Sequence, residues 1–196
     1  MAPNVFVAIK ITDKQLIANF RAAQASCVKN EHQMKDFILP TEKAHLGLVV
    51  FNVPEDRLEE AKKVLREALE ANQEELKDKE KISFEGLSIF GSTVLWARPV
   101  NGVDFLHKLN RILRNALEKN SFVVTDNKTY IPHVTLFNAN GKRKPGSNFR
   151  DIPKDCYKEV ASKAFGTQTI ENIQFLSMQK EIDLSGYYYC EESYNL

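Results

Sequence analysis

Two four-residue stretches, His45-Leu46-Gly47-Leu48 and His133-Val134-Thr135-Leu136, each put a histidine at the head of a run of strand-forming residues. Residues two apart in a strand share a face, so His45 and Gly47 point one way and Leu46 and Leu48 the other. His133 and Thr135 stand opposite Val134 and Leu136 in the same manner. The apolar faces can pack on helices while the histidine faces look outward. Two imidazoles converging on one small volume make acid–base chemistry easy near neutral pH, because one can take a proton while the other gives one. That suits cleavage of a phosphodiester, with the Thr135 hydroxyl bonding a non-bridging oxygen and holding the phosphorus between the rings. The scheme needs no metal. A lone histidine in a strand is more often structural than catalytic, so the argument rests on the pair and not on either motif.

The other chemistry-bearing residues are weaker signals. His32 lies in a polar run after the first helical segment, and His107 sits in an amphipathic helical pattern where a structural role is expected. Lys142-Arg143-Lys144 follows an Asn-Gly turn directly after the second motif. It reads as a solvated loop or as a basic lip that draws phosphate toward His133. Trp96 and Arg98 share a strand face with Val94, and an aromatic there can either pack in the core or stack a base. Cys27, Cys156 and Cys190 are odd in number and share no CxxC spacing, so neither a disulfide framework nor a structural zinc site is indicated.

The elements that must hold the motifs follow from periodicity. Strands are expected at Val5–Ile11, Ala44–Asn52, Ile82–Ile89, Thr93–Ala97, Ile131–Asn138, Thr169–Lys180 and Gly186–Glu191. Helices are expected at Lys14–Asn30, from Pro54 to about Glu74, and at Val103–Glu118, with short helical potential at Lys154–Lys163. Interleaved strands and helices of this kind give an α+β fold. The two motifs lie almost half the chain apart, which suits two lobes of a single domain over residues 1–196.

With 43% apolar residues among 196, the chain can bury a sizeable core. Twenty-seven basic against twenty-six acidic residues leave almost no net charge, which argues against holding long nucleic acid through a general electrostatic footprint. A small anionic ligand needs only a local patch. No apolar run approaches membrane-spanning length, and the first residues lack the pattern of a signal peptide, so a cytoplasmic or nuclear protein is expected.

At the two motifs the chain resembles a two-histidine (2H) phosphoesterase, the RNA-ligase-like family marked by paired H-x-T/S-x motifs. The segments NVFVAIKI, HLGLVVF, FEGLSIFGSTVLWARPV, YIPHVTLF and FLSMQKEIDLSGYYYCEES are together similar to the phosphoesterase-like domain of gamma/delta-type A-kinase anchoring proteins. The resemblance implies a bilobal α+β fold with two pseudo-symmetric antiparallel sheets lining a cleft and helices outside. It implies a nucleotide or short oligonucleotide ligand, AMP or CMP among them, and 2′,5′-phosphodiesterase activity toward oligoadenylates without a cofactor. His45 and His133 take the catalytic positions and Thr135 the phosphate-binding one, while Gly47 stands where the pattern has Thr or Ser. The missing hydroxyl weakens phosphate binding or adapts the cleft to a bulkier group; alternatively, glycine merely relieves crowding or marks a bulge. Kinase anchoring is assigned by the resemblance to a helix outside this domain, so it is not expected here, and a monomer is. The rival to an enzyme is an AMP- or CMP-binding module that has lost turnover through Gly47; a pure protein-interaction domain is the third reading.

Overall fold

Strand formers buried on nearly every side, Val5-Phe6-Val7-Ala8-Ile9, put the first strand inside a sheet and not at its edge. The computed structural model of the chain describes residues 1–78, 81–126, 129–140, 149 and 151–196. In chain order its elements are β1 (Val5–Lys10), α1 (Lys14–Asn30), β2 (His45–Asn52), α2 (Leu58–Ala71), the single turn α3 (Gln73–Leu76), β3 (Lys81–Phe90), β4 (Val94–Pro99) and α4 (Val103–Lys119). After these come β5 (Val123–Val124), β6 (Val134–Asn138), the single turn α5 (Lys154–Tyr157), β7 (Ala164–Thr169), β8 (Asn172–Ser177) and β9 (Cys190–Asn195).

The strands run in the order β7-β3-β4-β6-β2-β1-β8-β9, with β5 on β2, and every pairing is antiparallel. Among the described residues the middle of this path hangs on one residue pair, Leu46 opposite Val134 between β2 and β6. The resemblance implies two antiparallel sheets; the structure joins their strands, among the described residues, into one nine-stranded sheet whose two four-stranded halves, with β5 added to β2, meet at this narrow waist. Beyond the single pair the halves part, and the polar backbone groups this leaves on β2 are satisfied by side chains and by the following turn. The Tyr130 hydroxyl donates to the Gly47 carbonyl at 2.8 Å, the Val50 N–H donates to Asp126 at 3.0 Å, and the Thr125 N–H donates to the Val50 carbonyl at 2.9 Å.

The helices cross over between the halves. α1 follows β1, yet it packs on β7 and β6 of the other half; α4 follows β4, yet it packs on β2 and on α2. Each presents an apolar stripe, Leu16, Phe20, Ala23 and Cys27 in α1 and Phe105, Leu106, Leu109, Leu113 and Leu117 in α4. Asp13 caps α1 by accepting from the Leu16 N–H at 2.9 Å. Gly102 opens α4 in the left-handed region at φ 72°, where an added Cβ would meet the Lys81 carbonyl at 2.9 Å.

The helix expected from Pro54 begins at Leu58, the helical stretch expected over Lys154–Lys163 is the single turn α5, and three expected strands shift. The strand expected over Thr169–Lys180 is two strands, β7 ending at Thr169 and β8 starting at Asn172, and β7 itself falls where the sequence reads as loop. Its alternation, Ala-Phe-Gly-Thr-Gln-Thr, carries one large apolar residue, too few to mark a strand by pattern alone. The last strand begins at Cys190, not Gly186, because the preceding residues form a turn in which Asp183 accepts from Ser185 and Tyr187. The strand expected from Ile131 starts at Val134, since Pro132 lacks an N–H to give to a ladder.

Candidate active site

His45 opens β2 and His133 directly precedes β6, and both rings are tied back to the backbone in one way. His45 Nδ1 lies 2.8 Å from the carbonyl of Lys43, and His133 Nδ1 lies 2.8 Å from the carbonyl of Ile131. A carbonyl only accepts, so each Nδ1 carries the hydrogen and each Nε2 is the basic nitrogen left for a ligand. Both histidines are partly exposed. Burial of the rings pulls both pKa values below the ordinary 6.5, against the opposing pull of the carbonyl each ring donates to. For His45 the charge that His133 would carry lowers it further, so the two rings sense each other electrostatically.

The strands repeat each other beyond the ring. Val7 faces Val49 and Ala8 faces Gly47, which makes Leu48 an extra residue in β2. Leu95 faces Phe137 and Trp96 faces Thr135, which makes Leu136 an extra residue in β6. Each motif thus ends in a β-bulge at its leucine, and the exposure pattern is the same from each histidine onward: partly exposed, buried, partly exposed, buried, buried, partly exposed. The bulge returns Val50 to the face shared by His45 and Gly47. Gly47 itself is not the bulged residue.

These faces enclose a cavity of about 280 Å³ lined by His45, Gly47, His133 and Thr135 together with Phe6, Val50, Met178 and Tyr188. A second cavity of about 390 Å³ shares Gly47, Val50 and His133 with it and adds Phe90, Asp126, Tyr130 and Ile131. A Cβ built on Gly47 meets nothing within 4 Å, so the residue leaves open space where the two cavities adjoin. A larger hollow of about 520 Å³ around Arg66, Glu70 and Tyr194 contains no histidine, and acid–base chemistry near neutral pH has no obvious seat there.

Aromatic rings brace each imidazole. Phe6 lies 5.1 Å from the His45 ring and Tyr188 meets it edge-on at 5.4 Å; Phe90 meets the His133 ring edge-on at 4.9 Å and Trp96 lies 5.8 Å from it. Of these, Phe6, Tyr188 and Phe90 escaped the reading of the sequence as site residues, as did Met178 and Tyr130. The GYYYC run was the one available signal for Tyr188.

Trp96 and Arg98 line neither cavity. Trp96 is 7% exposed and stacked on Phe90 at 4.7 Å, so it serves as packing behind His133 and offers no face to a base. Arg98 reaches the Glu85 carbonyl at 3.4 Å across the β3–β4 pair and belongs to that surface. Lys142 and Arg143 lie outside the described residues. His107 is edge-on to Tyr130 at 5.3 Å, and His32 bonds Lys35 on the surface at 2.8 Å. Among the described residues no three His, Cys, Asp or Glu side chains gather as a metal set.

The family described as AKAP7 2'5' RNA ligase-like domain matches residues 3–196. The chain is 25% identical to human A-kinase anchor protein 7 isoform gamma over 204 residues, covering 97% of this chain and 56% of that protein. It therefore spans little more than half the length of that curated relative. Among solved structures, TT0787 of Thermus thermophilus superposes with a TM-score of 0.69 at 17% identity, covering 98% of this chain and 97% of that one. LigT of E. coli complexed with 3'-AMP superposes with a TM-score of 0.66 at 12% identity, covering 100% and 99%.

Proposed function

The chain belongs to the AKAP7 2'5' RNA ligase-like domain family, within the 2H phosphoesterases, and from that premise we propose that it is a metal-independent phosphodiesterase cleaving 2′,5′-linked oligoadenylate or a related nucleotide phosphodiester. The observation that carries this reading is the matched pair of imidazoles. Both are locked as Nδ1–H tautomers by a carbonyl two residues back, and both line one cavity with Thr135.

In this reading one neutral imidazole takes the proton of the attacking hydroxyl on its Nε2. The other, protonated, gives its Nε2 proton to the departing ribose oxygen as the P–O bond breaks. Thr135 donates its hydroxyl to a non-bridging phosphate oxygen, and Gly47 supplies no counterpart from the other strand. The nucleotide in LigT of the same fold is in keeping with a nucleotide ligand here.

The test is incubation of the purified protein with 2′,5′- and 3′,5′-linked oligoadenylates in EDTA. Cleavage of the 2′,5′ substrate, abolished by His45→Ala and by His133→Ala, is the expected result; no cleavage of either linkage by folded protein rejects the enzyme reading. The empty space at Gly47 supports a second reading, an AMP- or CMP-binding module without turnover, and retained AMP binding with no cleavage selects it.

A further inference from the structure

Among the described residues four polar residues are buried, and two of them, Gln24 and Asn110, sit in the apolar stripes of the crossover helices α1 and α4. An amide placed there costs stability unless its hydrogen bonds are made. Asn110 Nδ2 donates to the carbonyl of Leu48 at 2.6 Å, and Gln24 Nε2 donates to the carbonyl of Leu136 at 3.1 Å and to that of Leu39 at 2.8 Å. Leu48 and Leu136 are the bulged residues that end the two histidine motifs. A bulge leaves its extra residue out of the ladder, and a one-residue slip of register turns every side chain of a strand to the other face.

We propose that Gln24 and Asn110 are paired positioning residues, each holding the bulged carbonyl of one histidine strand so that its imidazole faces the cleft. The arrangement is crosswise: α4 holds the strand of His45 and α1 holds the strand of His133. Each bond pins the backbone three residues past a histidine, in the segment that decides which residues share its face. An apolar side chain in either place would pack as well against the stripe but remove that hold on the bulge; at Leu136 the Leu39 N–H, 3.0 Å from the same carbonyl, would remain as a weaker backbone tie. The catalytic consequence rests on the paired-histidine reading of the cleft; the placement of the rings does not.

Asn110→Leu and Gln24→Leu remove one donor each while keeping an apolar stripe. Two-bond ¹H–¹⁵N spectra report the tautomer and titration of each histidine without any need for turnover. Asn110→Leu is expected to alter the His45 signals and spare His133, and Gln24→Leu to do the reverse, with kcat falling about tenfold to a hundredfold and KM staying within about twofold. Asn110→Gln and Gln24→Asn, which keep a donor of altered reach, are expected to recover part of kcat. Folded leucine variants with native signals for both histidines overturn the proposal, as do variants that disturb both rings equally, since general loosening does not choose a ring. Should the leucine variants fail to fold, the wild-type side-chain amides decide: slow exchange and a shift on adding AMP support the proposal, and rapid exchange overturns it. If AMP does not bind, the nucleotide reading fails while the crosswise pattern still stands or falls by the histidine spectra.

Discussion

In the proposed mechanism the burial of His45 and His133 would also set the working pH. Acid–base turnover needs one ring protonated and one neutral, and burial holds both pKa values below 6.5. The pH–rate profile of kcat/KM should therefore be bell-shaped, with its maximum on the acid side of 6.5. The stability sign follows from the same direction: below pH 6.5 the unfolded chain binds protons that the folded rings resist, so the rings' contribution is lost as pH falls from 6.5 through the lowered folded values. Urea titrations at pH 7.5 and pH 5.5 should show the lower midpoint at pH 5.5, and His45→Gln and His133→Gln should each reduce that difference. Gly47 gives the second prediction at this scale. A side chain fits there without a clash, and a threonine hydroxyl that bonds the transition state by ~1.4–3 kcal/mol would raise the rate about ten- to two-hundredfold. Gly47→Thr should thus cleave 2′,5′-oligoadenylate about tenfold or more faster than the native protein. Gly47→Val, of equal size without the hydroxyl, should not. Equal slowing by both would mean that the open space itself is used by the substrate.

The cleft depends on β2 having a free edge next to β6, and side chains keep that edge from closing or fraying. Tyr130 is central, because its hydroxyl meets the Gly47 carbonyl at 2.8 Å while its ring closes one wall of the second cavity. Burial raises its pKa well above that of an ordinary phenol, so the donor keeps its proton at any physiological pH. Tyr130→Phe removes one hydrogen bond of about 0.5–1.5 kcal/mol. A drop in Tm of about 1–6 °C is expected for a chain of this size, with a weaker AMP-induced shift. An unchanged AMP shift would separate β2 edge geometry from ligand binding.

The whole molecule is woven from its two halves. Because α1 leaves one half to cover the other and α4 crosses the opposite way, each half loses a covering helix if the other unfolds. One cooperative transition is expected, with the fluorescence of the sole tryptophan, Trp96, coinciding with far-UV circular dichroism in urea. Separate midpoints would mean that the lobes are independent domains. If AMP binds between the halves as proposed, it should move that single transition upward: a hundredfold excess over Kd stabilises by ~2.7 kcal/mol, which is several degrees in Tm. His133→Ala and Thr135→Ala should each reduce that shift.

The shared faces of His45 with Gly47 and of His133 with Thr135 were legible in the sequence because they depend on residue type and period two alone: a histidine and the residue two places on must share a strand face whatever surrounds them. The long helices were legible for the same reason, since their apolar stripes repeat at a fixed spacing. β7 was not, because a strand of small and polar residues owes its place to the neighbour it pairs with, here β3. Nor were the braces of the histidines, Phe6, Phe90 and Tyr188, which come from three distant segments and meet only in the folded chain. The shared strand face of Trp96 and Arg98 left core packing and base stacking both open. The fold buries Trp96 against Phe90 and directs the Arg98 guanidinium to the Glu85 carbonyl, so neither lines the cavities of the paired histidines. Most of all, a glutamine and an asparagine on two helices read locally as flaws in an apolar stripe. Only the tertiary structure puts their amides on the bulged carbonyls of Leu136 and Leu48, because a hydrogen bond across 112 or 62 residues leaves no mark in local periodicity.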